Sequence, residues 1–403
     1  MKGQRRKMGT FAFLLTGLLA LVLCVGGCWS RRELEDTFFV LSLGLEEAKH
    51  GRVRLVVQAA VPSKLSEGGK GEGGGGRGSG EQGPVWVASA EGPTVFAALR
   101  ELEKRVTDRL FLAHARIVLF DEKVARHGIG PVLDYANREP QIRETIALLI
   151  TPDSPEKVLK TIPTQEKIPV FYLDNLLEHA RLQGASVPLD LETYRIHASL
   201  PGVAVAVPRL RLYRPPGAKP DEKPSEFILE GMGIFRNHRL RGYLPPASVP
   251  GLLWVRERVR NLPVTFQDPS HRQTLLSAEV LHARCRRKVL PDLQNPGQTR
   301  IRLEVKGEAN LREIAAFGAD EGAVSDVRAL NRALSREVAH QIWRSLTAAR
   351  RYQADIFGLA EEAREALPAN KWEDFARTWP ETFARCPVDV RVDLRLRRRG
   401  MTF

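Results

Sequence analysis

Four cysteines in 403 residues are too few for a disulfide-stapled scaffold, and no pair has the CxxC spacing of a zinc site. A single long apolar run excludes a bundle of membrane-spanning helices. The nine histidines are scattered, with no HExxH or HxxxH, so the common metal-hydrolase patterns are missing. No GxSxG elbow is present, and Ser30, Ser42 and Ser248 sit in no triad-like context. Between Gly68 and Gly83, ten of sixteen residues are glycine. That run lacks the preceding strand, the following helix and the Lys-Ser/Thr of a phosphate-binding loop. It is expected as a flexible surface loop within 62–84. These absences point away from an enzyme, and no metal or cofactor is expected.

What the chain has is positive charge: 61 Lys and Arg against 48 Asp and Glu, a formal net charge of +13. On a soluble protein this suggests nucleic acid or an anionic membrane. The N-terminus changes that reading. Lys2, Arg5, Arg6 and Lys7 precede thirteen uncharged residues from Phe11 to Leu23, then Val25-Gly26-Gly27-Cys28. Thirteen apolar residues are short for a spanning helix but fit a secretory signal peptide. Small residues before Cys28 resemble a bacterial lipobox, so residues 1–27 are expected to be removed and Cys28 acylated. Two or three acyl chains, at roughly 0.8 kcal/mol per buried CH2, hold a protein on a bilayer. The mature chain keeps 57 basic and 48 acidic residues, a charge of +9. An exported chain without aromatic interleaving among its cations is not expected to bind nucleic acid. Of the remaining cysteines, Cys285 and Cys386 are expected as two buried thiols, a disulfide between them being the alternative.

The exported part reads as mixed α/β. "TFFVLSLGLEE" and "RVRLVVQAAV" form a hairpin-like strand pair, and "VWVASAEG", "ARIVLFDE" and "ETIALLIT" are strands alternating with helices. Helices are expected from Pro93, on both sides of a break at Gly128–Pro131, after Ser154, and in two pieces over 168–200. "VAVAVPRLRLYR" is a further strand. "EFILEGMGIFRNHRLRGYL" is a hairpin turning at Asn237-His238, with a short helix and a strand between Gly251 and Phe266. In the last part, Ile301, Leu303, Val305, Ala309 and Leu311 share one strand face. A long helical region is expected over 324–367, and Val388 to Leu396 alternate with Asp and Arg. The fold class is therefore α+β, in three consecutive domains: 28–200, 201–270 and 271–403.

Four stretches carry a resemblance. "GCWSRRELED" with "LSLGLE", "RLFLAHARIVLFDEKVARHGIGPVLDYANREPQIR", "GMGIFRNHRLRGYL" with "GLLWV", and "ADIFGLAEEAREALPANKWEDFARTWPETFARCPVDVRVDLRLRRRG" together resemble the Ger(x)C family of spore germination lipoproteins. Those proteins are the C subunits of nutrient germinant receptors. The resemblance implies a lipoprotein on the outer face of the inner spore membrane, working with two integral-membrane partners, the A and B subunits. It also implies three domains, each a sheet packed with helices. A substrate-binding lipoprotein of a transporter is the alternative; it would need two similar lobes around a ligand cleft.

Two basic clusters are the candidate contact sites for membrane or partner: Arg284, Arg286, Arg287 and Lys288, and the terminal Arg395, Arg397 and Arg399. Alternation along a strand puts the last three on one side.

Overall fold

The computed structural model describes residues 37–60, 85–107, 109–217, 224, 226–271, 274–315 and 326–398. Cys28, the whole glycine-rich loop 62–84 and Arg399 lie outside the described residues. Two sheets organise the chain.

The first sheet is built around β1 (Thr37–Glu47), which pairs antiparallel with β2 (Val53–Ala60) and parallel with β5 (Ile117–Asp121). β3 (Val85–Gly92) flanks β2, and β4 (Arg109–Phe111) runs beside the start of β1. β6 (Ala147–Thr151) extends the sheet, followed by β7 (Val205–Tyr213), β8 (Glu226–Arg236) and β9 (Arg239–Leu244). Both faces are covered, which is why "IVLFD" and "ALLIT" are continuously apolar rather than alternating. One face carries α1 (Val95–Glu103), α2 (Glu122–His127), α3 (Gly130–Arg138) and α6 (Leu191–Ser199); the other carries α4 (Pro155–Lys160) and α5 (Pro169–Ala180). Gly44 of β1 is the contact point for α4: a Cβ there would lie 2.8 Å from the Pro155 Cβ. The turn at Asn237 and His238 has φ 51° and 60°, as a two-residue hairpin with two left-handed central residues requires.

The second sheet has the order β10 (Leu262–Gln267), β11 (Leu275–Leu290), β12 (Arg300–Ala315), β13 (Val388–Arg398). The parallel β12–β13 pair is bridged by three helices, α8 (Val327–Arg350), α9 (Leu359–Ala366) and α10 (Ala369–Arg385), which pack on the inner face together with α7 (Val249–Arg256). The expected long helical region is interrupted after Arg350, where Gln353 and Gly358 take positive φ and the chain turns back. Helix α10 is a further helix that the sequence pattern does not announce. Its buried Trp372, Phe375, Ala376, Trp379 and Phe383 follow helical spacing, but Pro380 lies inside it and reads as a helix breaker.

Strands β7 and β8 tie the halves together, because their residues enter three separate apolar clusters. Ala206, Met232 and Ile234 join the C-terminal core; Val207 and Phe235 join one face of the first sheet; Leu210, Phe227 and Leu229 join the other. On its far side the segment 201–270 ends in β10, paired over six positions with β11. A polar contact crosses the same junction. The Arg256 Nη2 of α7 lies 3.3 Å from the ring nitrogens of His197 in α6.

Burial, with the Arg256 and Arg287 guanidiniums nearby, brings the His197 pKa down from 6.5 to about 4. The ring is thus neutral in the fold, and unfolding lets it take up a proton. It contributes stability that is complete above about pH 6.5 and is lost as pH falls towards 4. His197→Gln is expected to flatten this limb of the urea midpoint plotted against pH. An unchanged slope would assign the acid sensitivity to another group.

Candidate docking face on the C-terminal sheet

The inner face of the second sheet is apolar and the outer face is charged. On β12, Ile301, Leu303 and Val305 are buried, while Arg302 and Lys306 face out. Strand β11 begins with Leu276, Ala278 and Val280 inside, but a bulge between Val280 and His282 reverses its parity. Beyond it Ala283 and Val289 point inward, and Arg284, Arg286 and Lys288 are exposed on the outer side. On β13, Leu394 is buried, and Arg391, Arg395 and Arg397 are exposed.

With β12 between them, two basic clusters far apart in sequence, at Arg284–Lys288 and Arg395–Arg397, come to share one face. Arg287 does not belong to it. Its parity turns it to the helical side, where the guanidinium donates to the Phe357 carbonyl at 3.0 Å and pairs with Glu362 at 2.8 Å. It is a structural link between β11 and α9, not a surface cation. Arg398 enters the register opposite Asn310.

Charge across the face is uneven. Between β12 and β13, opposite signs meet: Arg302 faces Asp389, Glu304 faces Arg391, Lys306 faces Asp393 and Glu308 faces Arg395. Arg302–Asp389 are 3.5 Å apart, Arg391–Asp389 2.9 Å, Arg395–Asp393 3.3 Å and Arg397–Glu308 2.5 Å. Between β11 and β12 the signs are mixed: Arg284 lies opposite Lys306 and Lys288 opposite Arg302, with Arg286 opposite Glu304 between them. Like charges directly opposite one another destabilise a sheet. Among the described residues, Arg284, Arg286, Lys288 and Lys306 have no carboxylate within 4.0 Å. The outer face is therefore a compensated ladder over β12–β13 with an uncompensated cationic strip over β11. The sequence reading named the ends of this face and missed its middle, Arg302, Lys306 and Arg391, although strict alternation of charge along β12 carried the signal.

Elsewhere the thiols are quiet. Cys285 and Cys386 are both free, and burial pushes the Cys285 thiol up to about 11 and raises that of Cys386, so neither has thiolate character near neutrality. Among the described residues no helix is long and apolar enough to cross a membrane.

Two family descriptions match in tandem: "Spore germination protein N-terminal domain" over residues 30–212 and "Spore germination B3/ GerAC like, C-terminal" over residues 230–400. Spore germination protein KC of Bacillus subtilis (strain 168) is 23% identical over 399 residues, covering 95% of each chain. Spore germination protein GerQC of Bacillus cereus is 20% identical over 321 residues, 80% of this chain and 84% of the relative. The crystal structure of the GerBC protein superposes with a TM-score of 0.54 at 14% identity, covering 88% of this chain and 96% of that one. The mixed α+β architecture is thus shared with GerBC. With both domains matched in order across most of its length, the chain belongs to the Ger(x)C family of spore germination proteins.

Proposed function

We propose that this protein is a non-enzymatic subunit of a spore germinant receptor, anchored through an acylated Cys28 to the exported face of the inner spore membrane. It works by docking to the integral-membrane A and B subunits, and needs no cofactor. The observation that carries this reading is the tandem match of both family domains, with relatives aligned along 95% of the chain. The basic outer face supports it as a contact surface, since like-charged neighbours on β11 and β12 cost stability that an acidic neighbour returns. In this reading the chain acts as three consecutive units, 28–200, 201–270 and 271–403, with β7 and β8 as the connection between the two sheets.

Cys28→Ala tests the anchor. With no acyl chain the energy holding the protein on the bilayer is lost. The variant is expected to shift from the membrane to the soluble fraction, and nutrient-triggered germination to be impaired. Full membrane retention with normal germination would sink the proposal.

A further inference from the structure

Strand β13 is the last strand of the second sheet, so one of its edges pairs with β12 and the other does not. The Ile301 N–H donates to the Pro387 carbonyl, which shows that odd residues of β13 turn their main chain towards β12. Even residues turn theirs to the free edge. At the C-terminal end that edge is closed by α8: the Leu394 N–H donates to the Ser335 hydroxyl at 3.0 Å and the Leu396 N–H to the Asn331 side-chain Oδ1 at 2.9 Å. At the N-terminal end, the main chains of Val388, Val390 and Val392 have no such partner among the described residues.

A groove of about 590 Å³ runs beside the open stretch, with Val390 and Val392 on one wall and Ser335 and Ala339 of α8 on the other. Arg332 and Arg336 stand on its rim one helical turn apart, both exposed. Among the described residues neither guanidinium has a carboxylate within 4.0 Å.

Open edges are usually blocked, because unpaired N–H and C=O groups template another strand. This one is blocked selectively, by two side-chain caps, and left open over five residues, about 16 Å of strand. We propose that the open edge from Val388 to Val392 receives an extended, acidic segment of a partner protein as a fifth strand. Main-chain hydrogen bonds would supply the affinity. Small apolar side chains of the guest would face Val390, Val392 and Ala339, and its carboxylates would reach Arg332 and Arg336. A second copy of this chain is a poorer guest, since edge-to-edge pairing would bring both copies' Arg332 and Arg336 to one seam. This surface is distinct from the basic outer face, and the proposal stands apart from the receptor reading.

The test uses the full-length lipoprotein in detergent with two fluorescent capped heptapeptides, one alternating valine with glutamate and one alternating valine with lysine. The glutamate peptide is expected to bind saturably and at least about tenfold more tightly than the lysine peptide. Val392→Pro removes an N–H that faces away from β12, a place where an edge strand tolerates proline. It is expected to weaken binding by about tenfold or more with an unchanged circular dichroism spectrum. Arg332→Glu with Arg336→Glu alters exposed helix positions, leaves the fold intact, and should invert the preference between the peptides. Should the proline variant fail to fold, the arginine pair decides the matter. No saturable binding, equal binding of the two peptides, or indifference to the arginine variants would overturn the proposal. So would a concentration-dependent dimer that Val392→Pro abolishes, which would give the edge to a second copy.

Discussion

Trp379→Ala is expected to cost about 3–5 kcal/mol of unfolding free energy, the range for removing a large buried aromatic side chain. The indole is fully buried in α10 and packs against Phe375 and Phe383 at centroid distances of 5.8 and 6.2 Å. Gly202, at φ 86°, lies against its face: a Cβ there would come within 2.8 Å of Cδ1. The indole N–H donates to the buried Asp355 carboxylate at 3.0 Å, which also accepts from the Phe357 and Ala360 amides. Burial raises the Asp355 pKa, and these donors oppose the rise. The Asp355 carbonyl accepts from the Ala204 N–H just before β7. One side chain therefore holds α10, the turn after α8 and the entry to the middle strands. Trp379→Phe keeps most of the packing and removes the donor, so its cost should be smaller, about 1–3 kcal/mol. Urea unfolding followed by fluorescence and circular dichroism measures both. A loss below about 1 kcal/mol for the alanine variant would show that the site collapses around the cavity.

The second large effect separates stability from assembly. Arg284→Glu with Lys288→Glu turns both like-charged cross-strand pairs, with Lys306 and Arg302, into pairs of opposite sign. Each change is worth roughly 0.2–1 kcal/mol in favour of the sheet, so the variant should be as stable as the parent or slightly more so. Its retention by the proposed A and B subunits should fall by about tenfold or more, with a weaker dependence on salt. Co-purification from detergent-solubilised spore membranes at two ionic strengths reads the assembly, and urea unfolding reads the stability. Undiminished co-purification would remove the β11 strip from the docking surface, whatever happens to germination in the Cys28→Ala strain.

Much of the local structure was legible because it rests on local chemistry. "IVLFD" and "ALLIT" announce strands. Gly128–Pro131 announces the break between α2 and α3, and Asn237-His238 announces the turn between β8 and β9. The missed helix α10 shows where such signals compete. Its apolar spacing is regular, but Pro380 argues against a helix, and the tertiary packing of Trp379 and Phe383 outweighs the lost backbone hydrogen bond. The break after Arg350 is the opposite case, since alanine and arginine there favour helix while the turn is held by Asp355, which is buried and bonded to residues beyond it.

The sequence by itself determined which side chains of a strand travel together, because the two-residue period of a strand is a property of the backbone. It therefore settled that Arg395 and Arg397 share a side, whereas Arg287, grouped by sequence with Arg284, Arg286 and Lys288, was turned away from them only in the fold. Which side faces water was decided by the tertiary structure. Extending the apolar parity of Leu276, Ala278 and Val280 would have sent Arg284, Arg286 and Lys288 into the core, and the bulge before His282 turns them out. That the two clusters share a face follows from β12 lying between β11 and β13. That pairing is non-local, parallel on one side, and held by the core under α8, α9 and α10 rather than by any neighbouring residue.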